Sequence, residues 1–304
     1  MTTIINKHLN IQEELESITE IPTLPHVVIQ LMALLDDPEV DFKRIAAVIE
    51  EDPPLVAQML KVVNSGFYGL PNTIDDLHQA LVLLGLDEIQ HLVFAESVYS
   101  VFYHVQENDY FDYHLFWQHC IGTARLGYAL AAMAELPIKR SIYTAGLLHD
   151  IGRLVLQLYF PEMYEEVFNV AQQNQLDLLT AETSLLNFTH TEAGYWIAQR
   201  WNLPDTIKDV IRNHHQLDQK TLIKFPIRAF TYFANELTRL WGNTLEVKPI
   251  TTSVETTDIW KQFVHHFPQL AAMEISDLIQ FVDIKLEEAD TFVKQLKQTK
   301  GNNP

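Results

Sequence analysis

"AGLLHDIGRL", residues 145–154, sets His149 and Asp150 side by side in an apolar run, between Leu148 and Ile151. A carboxylate in such company is costly unless it is paired, hydrogen-bonded or bound to a metal. Adjacent residues on a regular helix point about 100° apart, so the two side chains can serve one ion only near a helix end, or can be divided between two ions. Whether the flanking segments share a helical period decides the fold.

They do, almost throughout. "YHLFWQHCIGTARLGYALAAMAE" reads as one long helix from Tyr113 to Glu135, stopped by Pro137. "THTEAGYWIAQRW" opens with a capping box, Thr189 capping and Glu192 reaching back, which puts His190 in the first turn. "PDTIKDVIRNHH" is a further helix with His214 and His215 near its C-terminal end. Nearer the N-terminus, Asp41 is a candidate cap for a helix carrying Ile45, Val48 and Ile49. Asp52 caps a second, with Pro53 at its first position, Leu55, Met59, Leu60 and Val63 as its stripe and Gly66 to end it. "LEVKPITTSVETTD" loses the period and reads as a loop, after which helical spacing returns at Leu278, Phe281, Val282, Lys285 and Leu286. There is no internal repeat and no strand ladder, so the expected fold class is all-α.

A hydrophobic content of 47% excludes a disordered chain. Forty acidic against 21 basic residues leave a formal charge of −19, a surface that repels phosphate backbones and anionic headgroups. Neither nucleic acid nor a membrane is expected as partner. The lone Cys120 excludes an intramolecular disulfide and reads as a small core residue. The first 20 residues lack the pattern of a secretory signal, and the most apolar stretch, "LGYALAAMA", is bounded by Arg125 and Glu135. A cytoplasmic location is the expectation.

Of the 13 histidines, His26, His78, His91, His104 and His114 read as ordinary core or boundary residues. The adjacent pair His265 and His266 lacks an apolar frame and a neighbouring His-Asp pair. His119, His149 with Asp150, His190, and His214 with His215 differ, because each lies near an apolar stripe on successive helices. Imidazoles with one carboxylate suit first-row divalent metals, and a helical bundle can aim them at one interior point.

The segment from Ile21 through "HLV" at 91–93 resembles the N-terminal part of the HDOD family, the HD-related output domain of bacterial signalling proteins. The resemblance rests on Leu24-Pro25, Asp52-Pro53, Asn64-Ser65 and Leu84-Gly85, and it continues through "FWQHC", "AGLLHDIGRL", "FTHTEAGYWIAQRWNLP" and "IRNHH". It implies a two-part helical bundle, HDOD-specific helices packed on a bundle like that of HD phosphohydrolases. The implied layout is an N-terminal extension at 1–17, an HDOD domain at 18–240 divided into parts 18–109 and 110–240, and a C-terminal helical extension at 241–304.

The resemblance further implies a metal set of His119, His149, Asp150, His190, His214 and His215, holding one or two divalent ions (iron, manganese or zinc). Where HD enzymes have a closing Asp, "TYFANEL" places Ala234-Asn235, and a neutral Asn235 offsets none of the cation charge. "HHQLDQKTLIKFP" carries no Gly-Tyr-Pro, so cyclic di-GMP hydrolysis is not expected. The family implies a regulatory protein acting on an unidentified signalling partner. The alternative is a metal-dependent phosphohydrolase with a small phosphate ligand.

Overall fold

The structure is a computed structural model, and it describes residues 11–34, 42–105, 108–246, 257–272 and 274–301. All regular elements among them are helices. The first six are α1 (Ile11–Ser17), α2 (His26–Ala33), α3 (Phe42–Glu50), α4 (Pro53–Val63), α5 (Leu77–Leu84) and α6 (Leu86–Val101). The next seven are α7 (Tyr113–Met133), α8 (Lys139–Leu148), α9 (Ile151–Tyr159), α10 (Pro161–Asn174), α11 (Leu178–Leu186), α12 (His190–Arg200) and α13 (Asp205–Asn213). The chain ends in α14 (Gln219–Lys224), α15 (Pro226–Leu240), α16 (Asp258–His266), α17 (Pro268–Ala271) and α18 (Ile275–Gly301). No helix among the described residues is long and apolar enough to cross a membrane.

The local signals act as their chemistry requires. Asp52 caps α4 by accepting from the Leu55 amide at 3.1 Å, with Pro53 at the first helical position. This helix ends at Asn64 rather than Gly66, because the Asn64 amide group donates to the carbonyls of Leu60 and Ile74 and its Oδ1 accepts from the Ile74 amide. Thr189 and Glu192 form the expected capping box on α12. The long central helix stops at Met133, two residues early, where Glu135 adopts a positive φ of 56°. Asp41 and most of the aperiodic stretch, 247–256, lie outside the described residues.

The buried α7 is the axis of the bundle and packs against α8, α15 and α18. Cys120 is fully buried on it. The N-terminal helices reach this axis through α6, where Glu88 accepts from Arg125 at 2.8 Å and Asp87 from Arg140 at 2.6 Å. Arg125 also lies over the rings of Phe67 and Phe292, so a single guanidinium joins α6, α7 and α18. Lys300 on α18 pairs with the buried Glu96 of α6 at 2.8 Å.

What positions the centre is the α9–α12 crossing. A Cβ on Gly152 would lie 1.8 Å from the His190 carbonyl oxygen, and one on Gly194 would lie 3.5 Å from the Gly152 Cα. These two glycines let the backbones touch, which brings the start of α9 against the start of α12.

Candidate metal centre

His149 is the last-turn cap of α8 and Asp150 the residue before α9, so the pair lies at a junction between two helices and not within one. The apolar frame that makes the junction is fully buried, and the two side chains face the interior. His119 arrives from α7, His190 from the first turn of α12, and His214 and His215 from the end of α13. The structure therefore gathers all six residues singled out from the sequence.

They form two groups that share Asp150. Asp150, His190, His214 and His215 present four ligand atoms mutually within 4.8 Å, and His119, His149 and Asp150 present three. Asp150 Oδ1 lies 3.3 Å from Nε2 of both His190 and His214, and Oδ2 lies 3.6 Å from His119 Nε2 and 3.7 Å from His149 Nε2. His190 Nε2 is 3.0 Å from His215 Nε2. Asn235 is buried on α15 with no hydrogen-bond partner for its Oδ1 among the described residues. His265 and His266 are exposed at the end of α16, while His91 stacks on Tyr143 at 3.6 Å.

The ring protons follow from the partners. His119 Nδ1 faces the Asn243 carbonyl at 2.7 Å, His149 Nδ1 the Gly146 carbonyl at 2.7 Å and His214 Nδ1 the Ile211 carbonyl at 3.1 Å. A carbonyl oxygen has no proton to give, so each Nδ1 donates. Burial pushes His119 down to about 4, His149 well below the usual histidine value and His214 below it, so these rings are neutral at pH 7 and their Nε2 atoms are lone pairs. His119 and His149 nonetheless approach through Nε2 at 3.1 Å. No proton is left to bridge them, and the carboxylate beside them is negative. Burial alone would raise Asp150, yet the Arg153 guanidinium beside it holds it well below the usual carboxylate range.

Five supporting groups escaped the sequence reading. Glu182 on α11 accepts from His190 Nδ1 at 2.7 Å and from its backbone amide at 2.9 Å, while Tyr164 donates to its other oxygen at 3.0 Å. Arg153 donates from Nε to Asp150 Oδ2 at 2.8 Å and from Nη2 to Glu246 at 3.2 Å. Glu246 also accepts from the Leu178 amide at 2.8 Å. With the Asn243 carbonyl, the turn after α15 thus touches both His119 and the partner of Asp150.

The HDOD domain profile matches residues 21–217. The chain belongs to the HDOD family. An HDOD domain protein of unknown function from Geobacter sulfurreducens shares the fold, with a TM-score of 0.79, 24% identity, and coverage of 95% of this chain and 97% of that one. A candidate signal transduction protein from Marinobacter aquaeolei VT8 superposes with a TM-score of 0.73 at 21% identity, over 98% of this chain and 63% of that one. An uncharacterised protein of Treponema pallidum (strain Nichols) is 29% identical over 221 residues, 72% of this chain. The HDOD chain spans only 42% of the length of that curated relative. The supporting turn at 243–246 lies beyond the matched HDOD segment.

Proposed function

We propose that this HDOD protein is a signalling module that works through contact with another protein and carries a divalent cation in its His/Asp centre. The observation that supports the cation is the His119–His149 contact: two neutral rings, both Nδ1 protons already donated, face each other at 3.1 Å beside an ionised carboxylate. A cation turns this mutual repulsion into ligation, and imidazoles with a carboxylate suit iron, manganese or zinc. His190, His214, His215 and Asp150 Oδ1 form the tighter subsite, because they offer four ligands and Oδ1 accepts no hydrogen bond among the described residues. His119, His149 and Oδ2 form the weaker one, because Arg153 already holds Oδ2. When bound, such a cation supplies Lewis-acid charge.

Burial favours regulation over turnover. His149, His190 and His214 have no exposed surface, and Asp150 and His119 have 4% each, so an ion fits the centre while, with Glu246 seated on Arg153, a phosphate ester has little access. The acidic chain favours a partner with a basic face, which speeds encounter more than it sets specificity. The second reading, a phosphohydrolase, is favoured by the two subsites sharing Asp150 and by the partial exposure of His215.

One set of measurements separates the readings. Elemental analysis of natively purified protein is expected to find close to one equivalent of iron, manganese or zinc, and titration a second, weaker site. A metal-free protein with no affinity for these ions would remove the cation. Release of phosphate from mono- or diesters by the loaded protein, abolished in His149→Ala, would replace the signalling reading with the hydrolase. Partner capture from the native cell that survives the His149→Ala, Asp150→Ala double variant supports signalling through the outer surface.

A further inference from the structure

Glu246 presents a contrast between backbone and side chain. The residue as a whole is only half-buried, yet its side chain is 3% exposed because it dips inward to Arg153 and to the first amide of α11. Asp177 caps that helix through the Thr180 amide at 2.8 Å, which leaves the Leu178 amide for Glu246. Arg153, 4% exposed, keeps a buried Nη1 without a hydrogen-bond partner among the described residues. The two carboxylate oxygens thus take up two donors, Arg153 Nη2 and the Leu178 amide, while Nη1 of the same guanidinium stays unfilled.

We infer that Arg153 and the α11 N-terminus form a phosphate-binding site beside the metal centre, which Glu246 fills from within the chain. A helix N-terminus and an arginine fork both favour an oxyanion, and a third oxygen would answer the donor that a carboxylate leaves idle. The ligand is free phosphate or a phosphate monoester, and Glu246 is its intramolecular competitor. An external ligand binds only the fraction of molecules in which Glu246 is withdrawn. If that fraction is below about a tenth, removing the competitor strengthens binding about tenfold or more. This inference does not depend on the cation, since neither Arg153 nor Leu178 is a ligand.

The test titrates inorganic phosphate and methyl phosphate separately into the full chain after chelation and dialysis, so that no metal-phosphate contact contributes. Binding is read by calorimetry and by the melting temperature, with chloride as control. Glu246→Gln keeps the shape and an acceptor for the Leu178 amide, and Glu246→Asp keeps the charge but is too short to span both donors. Both are expected to bind phosphate at least about tenfold more tightly than the parent chain, and Arg153→Lys in the Glu246→Gln background is expected to abolish the gain. The ratio of the two ligands' affinities tells free phosphate from ester. Folded variants that bind phosphate no better than the parent, or a gain that survives Arg153→Lys, would overturn the inference. Metal content is measured separately, so failure here leaves the cation reading standing.

Discussion

Gly152→Ala should disable the proposed metal centre without touching a candidate ligand. The new methyl carbon would lie 1.8 Å from the His190 carbonyl oxygen, 2.4 Å from the Gly194 amide nitrogen and 2.8 Å from the His190 carbonyl carbon, all of them backbone. Ordinary contact begins near about 3.5 Å, so α9 and α12 must part by roughly 1.5 Å. Asp150 rides on one of these helices and His190 on the other, with 3.3 Å between Oδ1 and Nε2. Metal sites tolerate errors of about 0.2 Å in ligand distance, so the expected result is at least about a tenfold loss of affinity, near 1.4 kcal/mol. Overpacking adds a cost of about 3 kcal/mol, and at roughly 2 to 4 °C per kcal/mol the melting temperature should fall by roughly 6 to 12 °C. Gly66→Ala is the control, because a Cβ there meets nothing within 4 Å. Differential scanning calorimetry and metal titration of both variants decide it. A Gly152→Ala protein that melts with the parent and retains its metal would refute the close-approach argument.

Glu182→Gln should weaken metal binding about 10- to 100-fold, because the carboxylate that fixes the His190 ring loses its charge; unchanged affinity in the folded variant would show that Glu182 serves packing alone. The Glu88–Arg125 pair should give the fold an acid limit. Burial opposes ionisation of Glu88, but Arg125 outweighs it and lowers the Glu88 pKa, so the pair's contribution is complete above the unfolded value of about 4.3 and fades as pH falls below it. The melting-temperature gap between the parent and Glu88→Gln should therefore be constant near neutrality and close below about pH 4; a gap that ignores pH between 3 and 7 would contradict this.

Legibility in the sequence followed the range of the interaction. Caps and helical stripes act within four residues, so Asp52, Thr189 and the long apolar α7 could be read directly. His119, His149, Asp150, His190, His214 and His215 stood out because polar ligand types interrupt apolar stripes. Glu182 carried the same kind of signal unread: it lies four residues from both Leu178 and Leu186, on the buried face of α11. Gly152 and Gly194 were quoted inside motifs, but only the crossing of two helices shows what their missing Cβ atoms permit. Asn243 and Glu246 left no trace, because a turn has no period and their partners lie 124, 93 and 68 residues away.

Charge links the two proposed sites. Asp150, Glu182 and Glu246 supply three buried carboxylates and Arg153 one guanidinium, which leaves two negative charges, the complement of a single divalent cation. Neutral Asn235 adds nothing, so a second cation would carry the centre to a net positive charge in a region of low dielectric, at a cost that water cannot screen. Replacement of the singly charged Glu246 by a phosphate near two negative charges would shift that balance by about one unit. The second subsite then becomes less costly to fill. Because linkage is reciprocal, a cation at His119 and His149 would by the same amount favour phosphate over Glu246 on Arg153. Arg153 is the physical connection, since its Nε holds the oxygen that the second cation needs and its Nη2 holds the carboxylate that the phosphate displaces.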